Sequence, residues 1–517
     1  MSLRGRMKIT IYDGANTIGG NKIYIKEGYN GIFLDFGMNF ANYSKYYEEY
    51  LSERSARGIY DLWHLNLIPK LNIYRSDLIP KDLGIYRYPK IPINAVLISH
   101  AHLDHVGNVA ILNEEIPMVG SSITMTILKA LRDTSTGKHL GIDLPYYSIK
   151  KPKDEKGYVL ESDRKSPYCS RKIILTDDNK NIEEFIFYRP GQNSSNKVKK
   201  INQNEVKMLY EEDFGFEIKA FEVDHSIYGA VGYIVEGDVS VAYTGDFREH
   251  GKNKDKTKKF IKEAKNASVL ITEGTRVNRD NDVNVSEEDV YNNSLKIIEN
   301  AKGLVIADFS PRNFERLEIF KEIAKKTGRE LVITTKDAYF LWALKEVDKI
   351  DIIDDDVKIY ENLKATQYKW EEEILDIYCN YIISPFEIRK NCENYILCFS
   401  FYDMPHLLDV NPDGGIYIYS SSEAFGEEQE FSFLRLWNWL KHFNFEIYGF
   451  KVDENGKPIF EKGFHTSGHI SKEGLRRVIE KIDPDYIIPV HTENPELFRW
   501  AFGERVVLLN NGESLEI

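Results

Sequence analysis

The sequence predicts an α/β protein with more than one domain, and three observations lead to that prediction. The chain has 517 residues, which exceeds the usual size of a single domain. Its first half contains short β-branched and aromatic runs separated by Gly and Asn, which are typical of strands. Beyond about residue 281 the pattern changes to strand, helix and strand, the order found in parallel sheets.

The first half is predicted to consist of strands interrupted by two long segments. The predicted strands are Lys8–Tyr12, Lys22–Ile25, Gly31–Asp35, Val96–Ser99, Phe216–Val223, Gly232–Glu236 and Val239–Thr244. A helix is expected to begin at Val109–Leu112. The segments at about 37–92 and 143–212 are long, and the second is polar and weakly periodic, so we interpret both as surface insertions.

The second half is predicted to alternate strands and helices. Its first elements are a strand at Gly303–Phe309, a helix at Phe314–Lys326 and a strand at Glu330–Thr335. Its last elements are a helix at Glu473–Lys481, a strand at Asp485–Val490 and a final strand near Arg505–Leu509.

The composition narrows the class of protein. Apolar residues make up 42% and charged residues 29%, as in globular proteins. No apolar run approaches the ~18 residues needed to cross a bilayer, and the first residues lack the apolar stretch of a secretory signal. The four cysteines form no CxxC pair, so we expect free thiols and a cytoplasmic location. The net charge of −13 argues against a wholly basic surface but allows a local groove for phosphates.

The main chemical signal is the stretch SHAHLDH at residues 99–105, which follows a predicted strand. In an extended loop His100 and His102 point to the same side. Asp104 and His105 then turn toward a second point a few Å away, which suits two metal ions about 3.5–4 Å apart. Imidazole and carboxylate ligands suit zinc, with manganese or iron left open.

Three more metal-capable residues stand at the ends of predicted strands. They are Asp35, His225 in the stretch EVDHS and Asp246 in the stretch YTGDFR. A single Asp or His in such a place is usually a cap or turn residue. The presence of the histidine cluster in the same chain favours a metal-binding role instead.

In this order, Asp35 and the stretches HAHLDH, DHS and TGD resemble the metallo-β-lactamase superfamily. The resemblance implies a four-layer αβ/βα sandwich. It implies one zinc ion held by three histidines, namely His100, His102 and His225. It also implies a second zinc held by Asp104 and His105, with Asp246 bridging the two ions. Asp35 would accept hydrogen bonds that orient the ligands or a water molecule.

The last third of the chain resembles the β-CASP nucleases within that superfamily. Glu273 in VLITEGTR, His469 in HTSGH and His491 in PVHTE match the three additional motifs of that group. The resemblance implies that His491 completes the second metal site. It implies that His469 is a general acid and that Glu273 orients a histidine. The expected catalytic residues are therefore Asp104, His469, Glu273 and Asp35.

Within this group the stretches IGGNK, DFS and HTSGH resemble ribonuclease J and its archaeal relatives. The implied domains are a metallo-β-lactamase domain in two parts, 7–280 and 461–517, with an inserted α/β β-CASP domain at 281–460. The second part would carry an RNA-specificity motif. The implied partner is single-stranded RNA, with a 5′-monophosphate as one possible end, and a homodimer is left open.

The expected function is a zinc-dependent ribonuclease, with 5′-to-3′ exonuclease and endonuclease activity both open. A metal-activated hydroxide would attack the phosphorus, and His469 would protonate the leaving sugar oxygen. The small residues Ser467 and Gly468 are expected to contact phosphate or RNA. Ser310 and Asn313 precede a predicted helix and are expected to do the same, with helix capping as the alternative.

Three other functions compete with this interpretation. The first is a β-CASP nuclease that cuts DNA, and the second is a hydrolase of small esters or lactams. The third is a non-catalytic RNA-binding subunit, which would typically have lost metal ligands. All seven expected ligands are present in this chain.

Overall fold

Three large sheets define the architecture of the computed structural model, which describes residues 6–48, 51–135, 140–188, 200–279, 285–421 and 432–517. Two of the sheets pack face to face, because their inward residues share one hydrophobic cluster. The third sheet takes its strands from the middle of the chain. The predicted α/β fold class is confirmed.

The first sheet has eight strands. In sheet order they are Val206–Met208, Ile173–Leu175, Met118–Gly120, Ala95–Leu97, Asn30–Leu34, Lys22–Glu27, Lys8–Asp13 and Ser514–Glu516. The pairings are parallel from Val206–Met208 to Asn30–Leu34 and antiparallel beyond it. The parallel strands end together, which places Asp35 beside Ser99.

The second sheet has five strands. In sheet order they are Glu217–Glu222, Val231–Glu236, Ser240–Tyr243, Val269–Glu273 and Tyr486–Val490. Alternate residues of a strand face opposite sides. Accordingly Tyr233 and Val235 pack against Ile9 and Ile23 of the first sheet, and all four side chains are buried. This shared core holds the two sheets in a fixed relation, with their functional strand ends adjacent.

The third sheet has seven strands, and every pairing in it is parallel. In sheet order the strands are Ile382–Ile383, Val357–Tyr360, Glu330–Ile333, Tyr395–Leu397, Leu304–Asp308, Gly415–Tyr419 and Phe445–Tyr448. In a parallel sheet the carboxyl ends of the strands share one edge, where ligands of such domains usually bind.

Helices cover these sheets. They are Phe40–Tyr43, Tyr60–His64, Leu103–Val106, Ser122–Thr134, Ile182–Phe187, Lys254–Glu263, Glu287–Ile298, Phe314–Thr327, Thr335–Asp348, Lys369–Ile377, Pro385–Lys390, Leu407–Val410, Phe433–His442, Lys472–Ile482 and Glu496–Phe502. Short ribbons are formed by Tyr146–Tyr147, Tyr168–Ser170 and Ile201–Asn202, by Lys150–Pro152 and Leu160–Ser162, and by Phe450–Val452 and Pro458–Phe460.

A polar contact joins the third sheet's layer to the first. Asp348, at the end of the helix Thr335–Asp348, accepts hydrogen bonds from Ser122 Oγ at 2.6 Å and from Thr126 Oγ1 at 3.1 Å. Tyr339 on the same helix donates its hydroxyl proton to Asp133 at 2.8 Å. These side chains fix the inserted layer beside the helix Ser122–Thr134.

The two segments expected as surface insertions are integrated into the fold. Ile173–Leu175 and Val206–Met208, both within 143–212, are strands of the first sheet, and the former is buried throughout. Ile59 and Trp63, within 37–92, are buried in the large hydrophobic cluster beside that sheet. Their apolar runs are short and alternate with long polar stretches, so pattern analysis did not reveal this core.

Two predicted elements lie elsewhere in the structure. The helix expected from Val109 is one 3₁₀ turn, and an α-helix at Leu103–Val106 comes before it. The final strand expected near Arg505–Leu509 is absent from that described region, where Val506 forms only one isolated bridge, to Ile487. The last strand is Ser514–Glu516, which pairs with the strand Lys8–Asp13 and forms the edge of the first sheet. Without this partner, the strand Lys8–Asp13 would leave a row of backbone N–H and C=O groups unpaired. Sequence patterns do not reveal which segment of the chain pairs with those groups.

The structure also bears on two features considered from the composition, namely membrane-spanning helices and cysteines. Across the described ranges, no helix has the length and apolar character that a membrane span requires. No disulfide joins the four cysteines, all of which lie within the described ranges; they are Cys169, Cys379, Cys392 and Cys398.

Candidate metal centre and active site

Asp35 is a buried acceptor at the end of the strand Asn30–Leu34. Its φ of 56° is unusual for a residue with a side chain and costs about 1–3 kcal/mol. The carboxylate accepts hydrogen bonds from Ser99 Oγ at 2.7 Å, from the Tyr243 hydroxyl at 2.6 Å and from His105 Nδ1 at 2.6 Å. Because Nδ1 of His105 donates to Asp35, its Nε2 is left for a metal or a carboxylate.

Three histidines form a first ligand set. His102 Nδ1 lies 3.0 Å from His100 Nε2 and 3.3 Å from His225 Nε2. A tetrahedral zinc ion with Zn–N bonds of about 2.0–2.1 Å would place its nitrogens about 3.4 Å apart. His225 Nδ1 donates to the carbonyl oxygen of Gly468 at 2.6 Å, so its Nε2 is the ligand atom. The spacing and the donor atoms therefore fit a metal ion.

The first set is electrostatically prepared to bind a cation. Burial, reinforced by the neighbouring histidines, lowers the pKa of His100 and of His102 well below the usual value. Burial also lowers the pKa of His225 to about 4. These imidazoles are therefore neutral near pH 7, and a metal ligand must be neutral to offer its lone pair.

Four residues form a second ligand set next to the first. His105 Nε2 lies 3.0 Å from Asp246 Oδ2, and His491 Nε2 lies 3.1 Å from Asp104 Oδ2. Asp246 Oδ2 is also 3.6 Å from His491 Nε2 and 3.8 Å from His100 Nε2, so Asp246 borders both sets. Its other oxygen, Oδ1, is buried and makes no hydrogen bond to any residue in the described part of the chain. Leaving such a group unsatisfied costs about 1–3 kcal/mol, more for a charge, and a bound cation would remove that cost.

The charges in the second set are mutually balanced. Burial opposes the protonated form of His105 and His491, but Asp246 and Asp104 outweigh it and raise the pKa of both imidazoles. Conversely, burial acts to raise the pKa of Asp104 and Asp246, but the histidines lower both on balance. A metal ion that binds here must displace protons from His105 and His491.

His491 is positioned from both of its sides. It follows the strand Tyr486–Val490 with a φ of 51°, and its backbone N–H donates to the carbonyl of Gly14 at 2.9 Å. Its Nδ1 lies 3.0 Å from Thr275 Oγ1. This contact leaves Nε2 directed at the two carboxylates of the second set.

Glu273 holds the ring of His469 at the border of the metal-binding residues. Glu273 Oε2 accepts hydrogen bonds from His469 Nδ1 at 2.9 Å and from Thr275 Oγ1 at 2.7 Å, and Oε1 accepts from the N–H of Phe247 at 3.0 Å. His469 Nδ1 is 3.9 Å from Asp246 Oδ2. The side chain of Glu273 is 1% exposed and that of His469 is 13% exposed, so only the histidine is open to a substrate.

The loop before His469 is tightly fixed. Ser467 Oγ accepts a hydrogen bond from the N–H of His469 at 3.1 Å, and the Ser467 carbonyl accepts one from His250 Nε2 at 3.0 Å. A Cβ added to Gly468 would lie 2.9 Å from Cε1 of His225, so the close approach requires glycine. The phosphate contacts expected at Ser467 and Gly468 stay predictions.

Asn313 is a helix cap in this structure. Its side chain accepts a hydrogen bond from the N–H of Arg316 at 3.1 Å at the start of the helix Phe314–Thr327. The carbonyl of Ser310 accepts the N–H of Asn313 at 2.9 Å. The capping alternative therefore accounts for Asn313, and a phosphate contact at Ser310 or Asn313 stays a prediction.

Sequence reasoning missed three residues that orient the predicted ones. Ser99 and Tyr243 both donate to Asp35, and Thr275 connects Glu273 with His491. Each lies within three positions of a recognised motif residue. That proximity was the available signal, but a hydroxyl near a motif has many ordinary structural uses.

A buried ion network also went unpredicted. Arg248, fully buried, pairs with Asp224 at 3.3 Å, Glu287 at 3.2 Å and Glu315 at 2.8 Å. Arg316 pairs with the same Glu287 at 2.9 Å. Removing one member of such a network costs about 3–5 kcal/mol. The network connects the segment after Asp246 to the helices Glu287–Ile298 and Phe314–Thr327, so it sets the position of the inserted layer above the metal centre.

Comparisons with known families agree with this geometry. Residues 76–280 match the family model described as the metallo-beta-lactamase superfamily. Residues 461–499 match the model of the Zn-dependent metallo-hydrolase RNA specificity domain. Residues 76–280 and 461–499 are therefore similar to the metallo-β-lactamase superfamily, and the two facing sheets with clustered histidines and aspartates at their edge agree with that similarity.

Similar proteins place the chain more closely. It is 24% identical to ribonuclease J of Mycoplasma genitalium over 340 residues, which are 61% of this chain and 54% of that protein. It is 22% identical to ribonuclease J of Pyrococcus abyssi over 538 residues, which cover 99% of this chain and 97% of that protein. The chain thus spans about half the length of the first relative and nearly all of the second.

A solved structure supports the fold. The crystal structure of a protein of unknown function from Enterococcus faecalis V583 has a TM-score of 0.66 and 22% identity, covering 99% of this chain and 100% of that one. The matched family models and the two ribonuclease J relatives confirm the predicted resemblance to metallo-β-lactamase nucleases of the ribonuclease J type.

Proposed function

We propose that this chain is a zinc-dependent ribonuclease that hydrolyses RNA phosphodiester bonds, as a 5′-to-3′ exonuclease, an endonuclease or both. One observation carries the proposal: two metal-binding sets meet at Asp246, and His469 stands beside them, held by Glu273. The match to an RNA specificity domain over 461–499 includes both His469 and His491. The names of the relatives also support RNA over DNA as the substrate.

Two zinc ions fit the residues of the site, and manganese is an alternative. His100, His102 and His225 would hold one ion. Asp104, His105 and His491 would hold the other, with Asp246 shared by both. When bound, such a pair supplies a water of lowered pKa near neutral pH and positive charge that offsets charge developing on the phosphate.

The remaining side chains would position the reaction. Asp35 keeps Nδ1 of His105 occupied, so that Nε2 faces the second metal site. Glu273 keeps Nδ1 of His469 occupied in the same way, so that Nε2 is the atom that would give a proton to the leaving sugar oxygen. The RNA backbone would be contacted by backbone N–H groups near Ser467 and Gly468. It would also be contacted at the start of the helix Phe314–Thr327, near Ser310 and Asn313.

The sheet arrangement supports the proposed domains. The strands of the first two sheets come from residues 8–273 and 486–516, whereas the strands of the third come from 304–448. This distribution agrees with a two-part catalytic domain at 7–280 and 461–517 and an inserted domain at 281–460. RNA is the proposed partner. A homodimer and a cytoplasmic location stay predictions.

The test is product mapping on matched, end-labelled single-stranded RNA and DNA of one sequence, with either a 5′-monophosphate or a 5′-triphosphate. We expect RNA to be cut much faster than DNA, and His102→Ala to lose metal and cleavage together. Equal cutting of DNA would favour the DNA-nuclease alternative. Cleavage of neither substrate by fully metal-loaded protein would contradict the proposal, and equal rates for both 5′ ends would exclude a monophosphate contact.

A further inference from the structure

A crevice of about 530 Å³ lies at the carboxyl edge of the third sheet, apart from the seven metal-capable residues. Asp308 and Tyr360 line it, and each is the last residue of its strand. Open parallel sheets usually bind ligands at this edge. The volume lies within the range of about 300–1,000 Å³ that is common for small-molecule sites.

One residue that lines the crevice, Tyr360, has a polar atom without a hydrogen-bond partner among the described residues. The hydroxyl of Tyr360 is buried and makes no hydrogen bond to any described residue, and the residue is only 2% exposed. An unsatisfied buried hydroxyl costs about 1–3 kcal/mol. A ligand that hydrogen-bonds to Tyr360 would recover that cost, so this atom is independent support for a binding site.

Two buried carboxylates face the same space. Asp308 and Asp337 line the crevice and are 4% and 6% exposed. Asp308 accepts a hydrogen bond from the Tyr417 hydroxyl, and Asp337 accepts from Thr334 Oγ1 at 2.8 Å. In each pair the bonded atom is Oδ2. Asp308 therefore keeps Oδ1 and one lone pair of Oδ2 for two donors on a ligand, whereas Asp337, whose Oδ2 also accepts the N–H of Thr334, keeps Oδ1. Burial raises the pKa of each carboxyl to about 7, and N–H donors from a ligand would offset that burial penalty.

The other walls of the crevice combine aromatic rings with polar side chains, among them Lys336, Glu371, Asp403 and His406. Rings of Phe340, Trp370, Phe401 and Tyr402 line it. Carboxylates repel phosphate groups, so the backbone of a nucleic acid does not suit this interior. A flat, uncharged heterocycle with N–H donors suits both the rings and the carboxylates. Nucleobases splayed from single-stranded RNA are recognised by this combination of stacking and hydrogen bonds.

Arg312 connects the crevice with the metal centre. Its side chain lines the crevice, and its Nη1 donates to the carbonyl of Ala101 at 3.3 Å, in the loop between His100 and His102. Burial and the neighbouring His225 are the main causes of the lowered pKa of His102, and the positive charge of Arg312 lowers this pKa further. A guanidinium at this point can hold a phosphate while the attached base enters the crevice.

We infer that this crevice is a base-recognition site that takes one guanine of a strand whose backbone passes Arg312 on its way to the metal centre. The strand's identity as substrate rests on the proposed ribonuclease function. Guanine is the base to expect, because its Watson–Crick edge presents a ring N–H beside an amino group. Two adjacent donors match one carboxylate in a bidentate pair, and the other three bases lack that arrangement.

The test measures binding of free nucleosides to the full, metal-loaded chain by calorimetry or saturation-transfer NMR. Nucleosides contain no phosphodiester bond, so their binding does not depend on cleavage. We expect guanosine to bind best. Inosine lacks the amino group and should bind about tenfold more weakly, because it forms about one hydrogen bond fewer to a charged group.

Two conservative variants locate the site. Tyr360→Phe removes only the unpartnered hydroxyl, and Asp308→Asn keeps an acceptor for Tyr417 while removing the charge. Each should weaken guanosine binding about tenfold, whereas Asp413→Asn, at an exposed position, should leave it unchanged.

The outcomes separate this inference from the proposed function. Equal binding of all nucleosides, or unchanged guanosine binding in both crevice variants, would overturn the guanine site even if RNA is cleaved. Guanosine-selective binding that both variants weaken would support the site. If the same preparation then failed to cut RNA, the proposed ribonuclease function would fall, and the crevice would stand as a nucleoside site.

Discussion

Replacing His469 with alanine should remove most RNA cleavage and leave the metal content unchanged. His469 belongs to neither the three-histidine set nor the four-residue set. Its Nδ1 contacts Glu273 at 2.9 Å, and these two residues form a third group with Asp246. A general acid contributes about 100- to 10,000-fold to a rate. At about 1.36 kcal/mol for each factor of ten, the loss corresponds to about 2.7–5.4 kcal/mol of transition-state stabilisation.

A pair of substrates makes this prediction specific for proton transfer. Single-turnover cleavage of end-labelled RNA should fall by the full factor in His469→Ala. A p-nitrophenyl phosphodiester has a leaving group that needs no proton, so its hydrolysis should fall by less than about tenfold. Glu273→Gln, which keeps His469 but weakens its orientation, should show a smaller loss on RNA alone. Metal content is measured by elemental analysis of each variant.

Two results would refute the reasoning about His469. Loss of metal from His469→Ala would make the residue a ligand. An equal loss of rate on both substrates would show that the side chain positions the phosphate or the metals, and that it does not deliver a proton.

Three further predictions concern the metal centre itself. Asp35→Ala should weaken metal binding about 10- to 100-fold in a chelator competition, because His105 loses the acceptor that orients it; an unchanged titration would contradict this role. Gly468→Ala should reduce RNA cleavage about 100-fold with little change in melting temperature, because its Cβ would lie 2.9 Å from Cε1 of His225 and shift the loop; a nearly normal rate would mean that the loop adapts. On acidification, the set with His105 and His491 should release its metal first. The pKa values of these two histidines are raised, so protons compete with the metal at a higher pH. The pKa of His225 in the other set is lowered to about 4, so protons compete there only at a lower pH. Metal content per chain should therefore fall in two steps, and a single step would contradict the difference between the sets.

Short motifs drew attention to the expected ligand residues, because the chemistry of these residues is concentrated in a few short stretches. The stretch SHAHLDH alone supplies four of the seven expected metal ligands, and the structure brings His225, Asp246 and His491 to them from distant strand ends. The strands themselves were also visible, since alternation and β-branched content mark them directly. For example, the predicted strand Asp485–Val490 differs from the observed Tyr486–Val490 by one residue.

What sequence could not supply was the set of long-range contacts. Nothing near Arg248 indicates that it meets Glu287 and Glu315, and no periodicity marks Ile173–Leu175 as part of the first sheet. The unpartnered hydroxyl of Tyr360 has no sequence signal at all, because a missing hydrogen bond is a property of the surroundings.

The strand Tyr486–Val490 completes the second sheet at its edge and carries the last ligand of the centre at its end. During synthesis, every other element of the metal site leaves the ribosome before this strand does. A growing chain would therefore carry an incomplete second site while it is still attached to its own messenger. Metal loading of the second site therefore waits until residues 486–491 have been made and have paired with the strand Val269–Glu273.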